Sequence, residues 1–306
     1  MNSSVSLSEY IVQWLETFKK LTVKFSTYER LVTSANALKK YPISEMPICD
    51  ITCADIQIYV NQLTEHGYGI ETIKKSMRIV TAPLKQAAAL HLISTDPTIG
   101  VRLPSRSHVK KPSKAVFSYT PQEQESICWV LESYRRRGYA IILFMLETGL
   151  RAGEALALRW DDVNFEGKRL RIHSTVVELA NKKQSFVQDS AKTFSSNRTI
   201  PLTPKAIKIL RRLPQRHEWV FPDKYGDHLS YEALRYQTQI ACREAGVEYH
   251  GLHIFRHTFA TNCYYKGVDV KILSKILGHA DVNITYNVYV HLYGDGFDEM
   301  YAALVK

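Results

Sequence analysis

Six polar residues beyond residue 150 occupy segments that otherwise have the composition of a protein core or a turn. They are Arg151, Lys192, His253, Arg256, His279 and Tyr289. A tyrosine hydroxyl, with a pKa of about 10, is a poor nucleophile unless cationic donors stabilise its phenolate or a base removes its proton. Cations can also neutralise the oxygens of a phosphate, and an acid can protonate a leaving alkoxide. Together the six residues indicate a phosphoryl-transfer site that uses no metal.

Short spacings place several of these residues on common faces. Arg151 follows a helix-ending glycine in Thr148-Gly-Leu-Arg151 and precedes a short apolar helix, whose amide groups can help a guanidinium to bind phosphate. Arg151 could equally cap the helix before it. Glu154, three residues later, lies on the same helical face as Arg151 and could orient its guanidinium or merely pair with it. His253 and Arg256 are also three residues apart and share a helical face.

Two members of the set have competitors nearby. Lys192 lies near the tip of a predicted hairpin, where a lysine is usually solvated, and Lys182 and Lys183 stand on the other side of the same loop. Tyr286 precedes Tyr289 by one helical turn and could supply the nucleophile instead. The local sequence alone leaves both choices open.

The overall composition limits the class of protein. The 306 residues are enough for two domains, and 45% apolar and 23% charged residues are typical of globular proteins rather than disordered ones. The longest apolar stretch, residues 140–146, is far shorter than the ~20 residues that cross a membrane. Residues 1–6 lack the features of a signal peptide and five cysteines form no disulfide framework, so a reducing, cytoplasmic setting is expected. Cys49 and Cys53 have no second Cys/His pair nearby, so no metal site is expected.

The charge distribution predicts two domains joined by a basic linker. Lys and Arg outnumber Asp and Glu by 40 to 30, and no acidic residue lies between Asp96 and Glu123. Prolines in that interval interrupt helices, so we predict a first domain over 1–101, a linker over 102–116 and a second domain over 117–306. Such a basic run is either a solvated connector or a segment that follows a phosphate backbone. The candidate DNA-contacting residues are Lys74, Lys75, Arg78, Arg102, Arg106, Lys110 and Lys111.

Caps and hydrophobic periodicity predict the elements that position these residues. In the first domain, Ser6 and Glu9 form a capping-box pattern before an apolar helical face. Further helices are predicted over 25–38, 52–66 and 70–90. In the second domain a helix begins at Thr120, a buried helix covers 140–146, and strand formers between 163 and 202 predict three strands before helices resume. We therefore predict a mainly α fold with one small antiparallel β-sheet.

At these positions the sequence resembles the tyrosine recombinases, the phage integrase family. The layout of the whole chain is similar: a helical core-binding domain, a basic linker and a catalytic domain. The most specific matches are Thr148-Gly-Leu-Arg151, His253-x-x-Arg256-His257 and Leu277-Gly278-His279 followed by Tyr289. The resemblance implies an N-terminal four-helix core-binding domain and a mixed α/β tyrosine-recombinase catalytic domain.

The resemblance also implies a role for each residue of the set. Arg151 and Arg256 would hold the scissile phosphate, with Glu154 supporting Arg151. Tyr289 would attack the phosphorus and form a 3′-phosphotyrosine link, while Lys192 would protonate the 5′-oxygen as it leaves. Because the protein-DNA ester keeps the energy of the broken bond, strand exchange would need neither ATP nor a divalent metal, and no cofactor is implied.

Two histidines complete the implied site. His253 would act as a general base or hydrogen-bond partner, and His279 would hold the phosphate or the tyrosine. The chain departs from the family pattern at Phe255, where a leucine is usual, and we expect that core exchange to be neutral. The ten residues from His279 to Tyr289 are one more than in many relatives, a spacing that resembles integrases of the conjugative-transposon type.

The implied partners are double-stranded DNA with paired recognition sites and further copies of the chain. The resemblance implies a homotetramer in the synaptic complex, with the C-terminal tail, residues 290–306, docked on a neighbouring copy or packed on its own domain. Accessory DNA-bending or directionality factors would fit, and no membrane partner is expected. The implied location is the cytoplasm of a prokaryote, at the nucleoid.

The expected function is that of the integrase of a phage or other mobile element. Alternatives are an Xer-type chromosome or plasmid resolvase, an invertase and a type IB topoisomerase, which relaxes DNA without pairing two sites. A catalytically silent DNA-binding regulator is a different class. The complete set of residues argues against that class, because a protein that only binds DNA needs no nucleophile.

Overall fold

The computed structural model describes residues 5–105, 107–109, 118–134, 138–178, 185–189 and 197–290; at 189 and 287–290 it describes only the backbone. The described residues form two compact units, the first made of those up to residue 109 and the second of those from residue 118 onward. Both are mainly helical, and the second also holds small antiparallel sheets, which confirms the predicted fold class. No helix among the described residues has the length and apolar character needed to span a membrane.

The first unit contains the four predicted helices. They are α1 (Leu7–Trp14), α2 (Phe25–Leu38), α3 (Cys53–Glu65) and α4 (Ile70–Ala89), with a π-helical turn over Leu15–Lys19 and a 3-10 turn over Pro42–Glu45. Capping boxes fix two starting points: Ser6 with Glu9 at α1, and Thr52 with Asp55 at α3. The apolar faces of the four helices share one core, which includes Ile11, Leu38, Ile56 and Leu84.

Part of the predicted linker lies against the first unit. The backbone amide of Arg102 donates to Oε1 of Gln57 on α3 at 2.9 Å, and the carbonyl of Arg102 accepts from Nε2 of the same side chain at 3.1 Å. Val109 is buried in the core of this unit. The chain is therefore attached to the first unit as far as residue 109. Arg106, Lys110 and Lys111 lie outside the described residues, and the domain boundaries stay a prediction.

The second unit contains eight described helices and five described strands. The helices are α5 (Pro121–Tyr134), α6 (Tyr139–Thr148), α7 (Ala152–Leu156), α8 (Pro204–Arg211), α9 (Tyr231–Glu244), α10 (His253–Tyr265), α11 (Val270–Leu277) and α12 (Val282–Val290), with a 3-10 turn over Trp160–Asp162. The strands are β1 (Val163–Asn164), β2 (Arg169–Ile172), β3 (Ser174–Glu178), β4 (Ser185–Asp189) and β5 (Arg198–Pro201).

Helix α6 forms the centre of the second unit. Its apolar side chains from 141 to 146 are buried as predicted, Ala140 is partly buried, and the helix packs against α5, α8 and α10. The helix ends at Gly149, whose φ of +66° lies in the left-handed region that favours glycine. This reversal buries Leu150 and places Arg151 directly before α7.

The strands form two small sheets instead of one. In the first, β2 lies between β1 and β5, and all pairs are antiparallel. In the second, β3 pairs with β4. Only His173 separates β2 from β3, and strand-forming residues flank it on both sides, so the local sequence gives no signal that the strand is divided there.

Replacing Gly149 with alanine should destabilise the protein more than the same change at Gly267. Both glycines have a left-handed φ, +66° and +74°, which costs an L-residue ~1–2 kcal/mol. A Cβ at position 149 would lie 2.3 Å from Cδ1 of Phe259, whereas one at 267 would meet nothing within 4 Å. Urea unfolding of the two variants measures the difference. Equal losses of stability would mean that the Phe259 ring moves aside at no cost.

Candidate active site

Arg151 stands in the turn between α6 and α7, and one side of its guanidinium is fixed. Its backbone amide donates to Oε2 of Glu154 at 3.0 Å, and its Nη1 donates to Oε1 of the same carboxylate at 2.8 Å. Its Nη2 donates to the carbonyl of Gly278, just after α11, at 3.0 Å. The side chain remains 39% exposed, so its other N–H groups can face a ligand.

Arg198, which the sequence analysis did not select, forms a buried ion pair with Glu154. Its Nη1 and Nη2 donate to the two carboxylate oxygens at 2.9 and 2.8 Å, and its Nε donates to the carbonyl of Ile276 at 2.7 Å. The side chains of Arg198 and Glu154 are 8% and 7% exposed. Burial opposes the ionisation of Glu154, but the hydrogen bonds and charge of Arg198, together with Arg151, outweigh it and lower the pKa to about 2. Glu154 is therefore a carboxylate shared by two arginines.

The sequence does contain a signal for Arg198. This residue begins β5, where alternate residues face the same side, and Ile200 two positions later is buried. An arginine on the buried face of a strand needs acceptors for its N–H groups. The alternation could have predicted a buried arginine, but not that its carboxylate partner lies 44 residues earlier.

Arg256 lies on α10 and is almost fully buried. Its Nη1 donates to the carbonyl of Gly149 at 3.1 Å, and its Nη2 donates to the carbonyl of Leu277 at 2.6 Å. These carbonyls lie at the C-terminal ends of α6 and α11, where acceptors have no partner within the helix and the helix dipole is negative. Burial and the charge of Arg151 lower the pKa of Arg256 to about 9, so the guanidinium stays charged at neutral pH.

Three histidines lie in the same region. The rings of His253 and His257 are perpendicular, with their centroids 4.6 Å apart, and Nδ1 of His279 is 2.7 Å from Oγ1 of Thr285. Desolvation and the neighbouring cationic groups lower the pKa of His253, and they lower that of His279 to about 4. Both imidazoles are therefore neutral at pH 7. In that form an imidazole can accept a proton or donate its single N–H.

The structure brings together most of the predicted set and leaves two members partly or wholly undescribed. The residues that meet around the ends of α6 and α11 are Arg151, Glu154, His253, Arg256 and His279. Lys192 and its rivals Lys182 and Lys183 lie outside the described residues. Tyr289 lies on α12, where only its backbone is described, and its rival Tyr286 is 44% exposed.

Three of the candidate DNA-contacting residues, Lys74, Lys75 and Arg78, lie on α4. Lys75 and Arg78 are exposed, while Lys74 pairs with Glu71 at 2.8 Å. Ile73 and Met77 on the same helix are buried. The helix therefore packs on the core through its apolar face and presents cations on the other.

The side chains around the ends of α6 and α11 form a positively charged region. Three guanidinium groups lie around one carboxylate, that of Glu154: Arg151 and Arg198 donate hydrogen bonds to it, and Arg256 interacts with it through space. Such a region suits an anion with several oxygens, as a phosphate has. Within the described ranges, no three His, Cys, Asp or Glu side chains are grouped as ligands for a metal ion.

Comparison with known sequences identifies relatives of the whole chain. Residues 118–295 match the sequence model of the phage integrase family. The chain is 28% identical to the tyrosine recombinase XerC-like protein of Caldanaerobacter subterraneus, over 94% of this chain and 80% of the relative. It is 24% identical to the prophage ps2 probable integrase of Lactococcus lactis, over 95% of this chain and 80% of the relative.

Comparison with solved structures identifies similar folds. The integrase of transposon Tn1549 in complex with transposon right end DNA has a TM-score of 0.83 and 19% identity, and the match covers 99% of this chain and 100% of that one. A lambda integrase tetramer bound to a Holliday junction has a TM-score of 0.68 and 17% identity, and the match covers 93% of this chain and 77% of that one. The likeness shows the fold of this chain.

Replacing Arg198 with methionine should destabilise the protein far more than replacing Arg235 with methionine. The first change leaves the buried Glu154 with one partner fewer. Removing one partner of a buried ion pair lowers the free energy of unfolding by roughly 3–5 kcal/mol. Arg235 pairs with Glu178 at 3.4 Å, with side chains 46% and 37% exposed, and such surface pairs contribute ~1 kcal/mol or less. Urea unfolding compares the two. A loss below ~1 kcal/mol for Arg198→Met would show that Arg151 alone satisfies the carboxylate.

Proposed function

The chain belongs to the phage integrase family of tyrosine recombinases, a family of enzymes that cut and rejoin DNA, and from that premise we propose that it is the site-specific recombinase of a mobile element. The main support is the convergence of Arg151, Arg256, His253 and His279 at the ends of α6 and α11. Helix α12, which carries Tyr289, packs against both α10 and α11. The similarity to a prophage integrase favours a mobile element as the source of the substrate.

The two arginines hold the scissile phosphate. Each guanidinium has five N–H donors. In the described contacts Arg151 uses two of them, on Glu154 and Gly278, and Arg256 also uses two, on Gly149 and Leu277. The other donors can bind non-bridging oxygens, and because both groups are already oriented, the site needs little rearrangement when charge develops on those oxygens.

In the cleavage step the scissile phosphoryl group moves from the 5′-oxygen of the DNA to the oxygen of Tyr289. The Tyr289 hydroxyl loses its proton to His253 and its oxygen attacks the phosphorus, while the bond from phosphorus to the 5′-oxygen breaks. Lys192 donates a proton to that leaving oxygen, and His279 donates a hydrogen bond to the phosphate. The reverse steps, with a different 5′-hydroxyl as nucleophile, rejoin the strands, so no ATP and no divalent metal are required.

The substrate is double-stranded DNA with paired recognition sites, bound by several copies of the chain. The similar solved structures include an integrase bound to transposon end DNA and a tetramer on a Holliday junction. By analogy we propose four copies in the synaptic complex, with residues 290–306 of one copy docked on the next. We also propose action in the cytoplasm, at the nucleoid, with accessory DNA-bending or directionality factors.

The XerC-like relative favours a second candidate function, the resolution of chromosome or plasmid copies by the same chemistry. The two functions differ in the sites that are joined. Incubation with the two ends of the DNA element that carries the gene, and separately with pairs of candidate host resolution sites, distinguishes them by which recombinant product forms. Relaxation of a supercoiled plasmid without any paired site would instead indicate a topoisomerase.

Replacing Tyr289 with phenylalanine should abolish the covalent adduct but leave DNA binding intact, because only the attacking hydroxyl is lost. Tyr286→Phe is the matched control, since it makes the same change one helical turn earlier and should keep the adduct. The assay incubates each variant with nicked duplexes from the DNA flanking the gene, in EDTA, and maps any DNA-linked peptide by mass after a denaturing gel. Loss of the adduct only in Tyr286→Phe would make Tyr286 the nucleophile.

A wild-type protein that binds these duplexes tightly and in a salt-sensitive way, yet forms no adduct in EDTA, would contradict the proposal. That outcome would support the catalytically silent DNA-binding regulator. An adduct that forms only when a divalent metal is added would contradict the metal-independent mechanism while leaving the tyrosine nucleophile in place.

Replacing Lys75 and Arg78 together with alanine should weaken DNA binding and reduce its salt dependence. If each cation contacts one phosphate, the slope of log K against log salt should fall by about 1.8, since each contact contributes about 0.9. Lys39 and Lys40 are also exposed in the first unit, and their double alanine variant controls for the same loss of charge. Fluorescence anisotropy at several salt concentrations measures both slopes. Equal effects of the two double variants would show that α4 has no specific contact.

A further inference from the structure

Thr285 lies on α12 between His279 and Tyr289, and it is fully buried. Its hydroxyl oxygen is 2.7 Å from Nδ1 of His279. Tyr289 follows Thr285 by one helical turn. A single buried hydroxyl thus joins a histidine of the candidate active site to the helix that carries the nucleophile.

This contact differs from that of several other helical threonines of the chain. A threonine inside a helix commonly donates to the carbonyl four residues earlier. Helical threonines that do so, at 2.6–2.9 Å, are Thr33, Thr64, Thr148 and Thr238. The contact described for Thr285 is with a side chain instead, which makes its hydroxyl available to set the state of the imidazole.

The tautomer of that imidazole decides whether its Nε2 can donate a hydrogen bond to a phosphate oxygen. The low pKa of His279 leaves the ring neutral at pH 7, and a neutral ring has one N–H and one acceptor nitrogen. If Nδ1 carried the hydrogen, Nε2 would be a lone-pair acceptor and would repel a phosphate oxygen. If Nδ1 accepts from the Thr285 hydroxyl, Nε2 carries the hydrogen and can donate to that oxygen.

We propose that Thr285 is a positioning residue: its hydroxyl donates to Nδ1 of His279, keeps the Nε2–H tautomer for the scissile phosphate and fixes the start of the nucleophile helix against the site. The proposal rests on the proposed function, because it assigns the phosphate to His279 and the nucleophile to Tyr289. Arg151, Arg256, His253 and His257 are the other charged or titratable groups that act on this ring. None of them has a described hydrogen bond with Nδ1.

Two substitutions at Thr285 test the effect of its hydroxyl and the effect of its side-chain shape separately. Thr285→Val keeps the branched shape but cannot donate, and Thr285→Ser keeps the hydroxyl but loses a methyl group. We expect Thr285→Val to slow adduct formation roughly 10- to 100-fold, because the Nε2–H donor is then only partly populated and complete loss of such a donor slows catalysis about 100- to 1000-fold. The dissociation constant for DNA should change less than about 3-fold, because the guanidinium groups that bind the phosphate are untouched. Thr285→Ser should restore most of the wild-type rate.

The tautomer itself provides a measurement that does not depend on activity. Nitrogen-15 NMR of the full chain labelled in histidine, with His279→Gln to assign the signal, should show Nδ1 of His279 unprotonated and Nε2 protonated at pH 7. In Thr285→Val the signal should shift toward the other tautomer or an average of the two. Because the wild-type spectrum alone tests the assignment, the proposal stays testable even if the valine variant does not fold.

The outcomes distinguish this proposal from the proposed function. A wild-type chain that forms no covalent adduct contradicts the proposed function whatever the NMR shows. An adduct in the wild type with an Nδ1–H tautomer, or with equal rates for Thr285→Val and wild type, overturns the role of Thr285 and leaves the recombinase function standing. A slow valine variant, a restored serine variant and an Nε2–H tautomer together support the proposal.

Discussion

One buried carboxylate among three guanidinium groups is the interaction on which the second unit depends. Like charges in a site of low polarity repel strongly, and the charges of Arg151 and Arg198 both act on Arg256 through space. Glu154 supplies the negative charge that allows them to lie together, and it stays ionised because two of the three donate hydrogen bonds to it. The positive region therefore exists before any anionic ligand arrives.

The same groups are oriented by backbone acceptors that the fold leaves at helix ends. Helix α6 ends at Gly149 and helix α11 ends at Gly278, both with left-handed backbone. The carbonyls at these two ends bind Arg151 and Arg256, and that of Ile276 binds Arg198. A guanidinium fixed in this way loses little conformational freedom when it binds a phosphate, which is the advantage of a preorganised site.

The sequence predicted the features that local patterns encode. Capping residues and apolar periodicity gave the four helices of the first unit, and the glycine before Arg151 gave the end of α6. Arg198 and Thr285 were missed because their partners are fixed by packing between elements that are distant along the chain or separated by a turn. The division of the predicted sheet at His173 was missed because strand propensity continues across the break.

The hydrogen bonds that orient the arginines also set the order in which the site can form. Those to backbone carbonyls join residues 21, 78, 107 and 127 positions apart, and all but one of these carbonyls come from residues 276–278, near the C-terminal end of the described chain. A chain still being synthesised presents its first unit, and even its first arginine, long before these acceptors leave the ribosome. An unfinished chain that lacks residues 276–278 therefore has none of the acceptors from this segment that orient Arg151, Arg198 and Arg256.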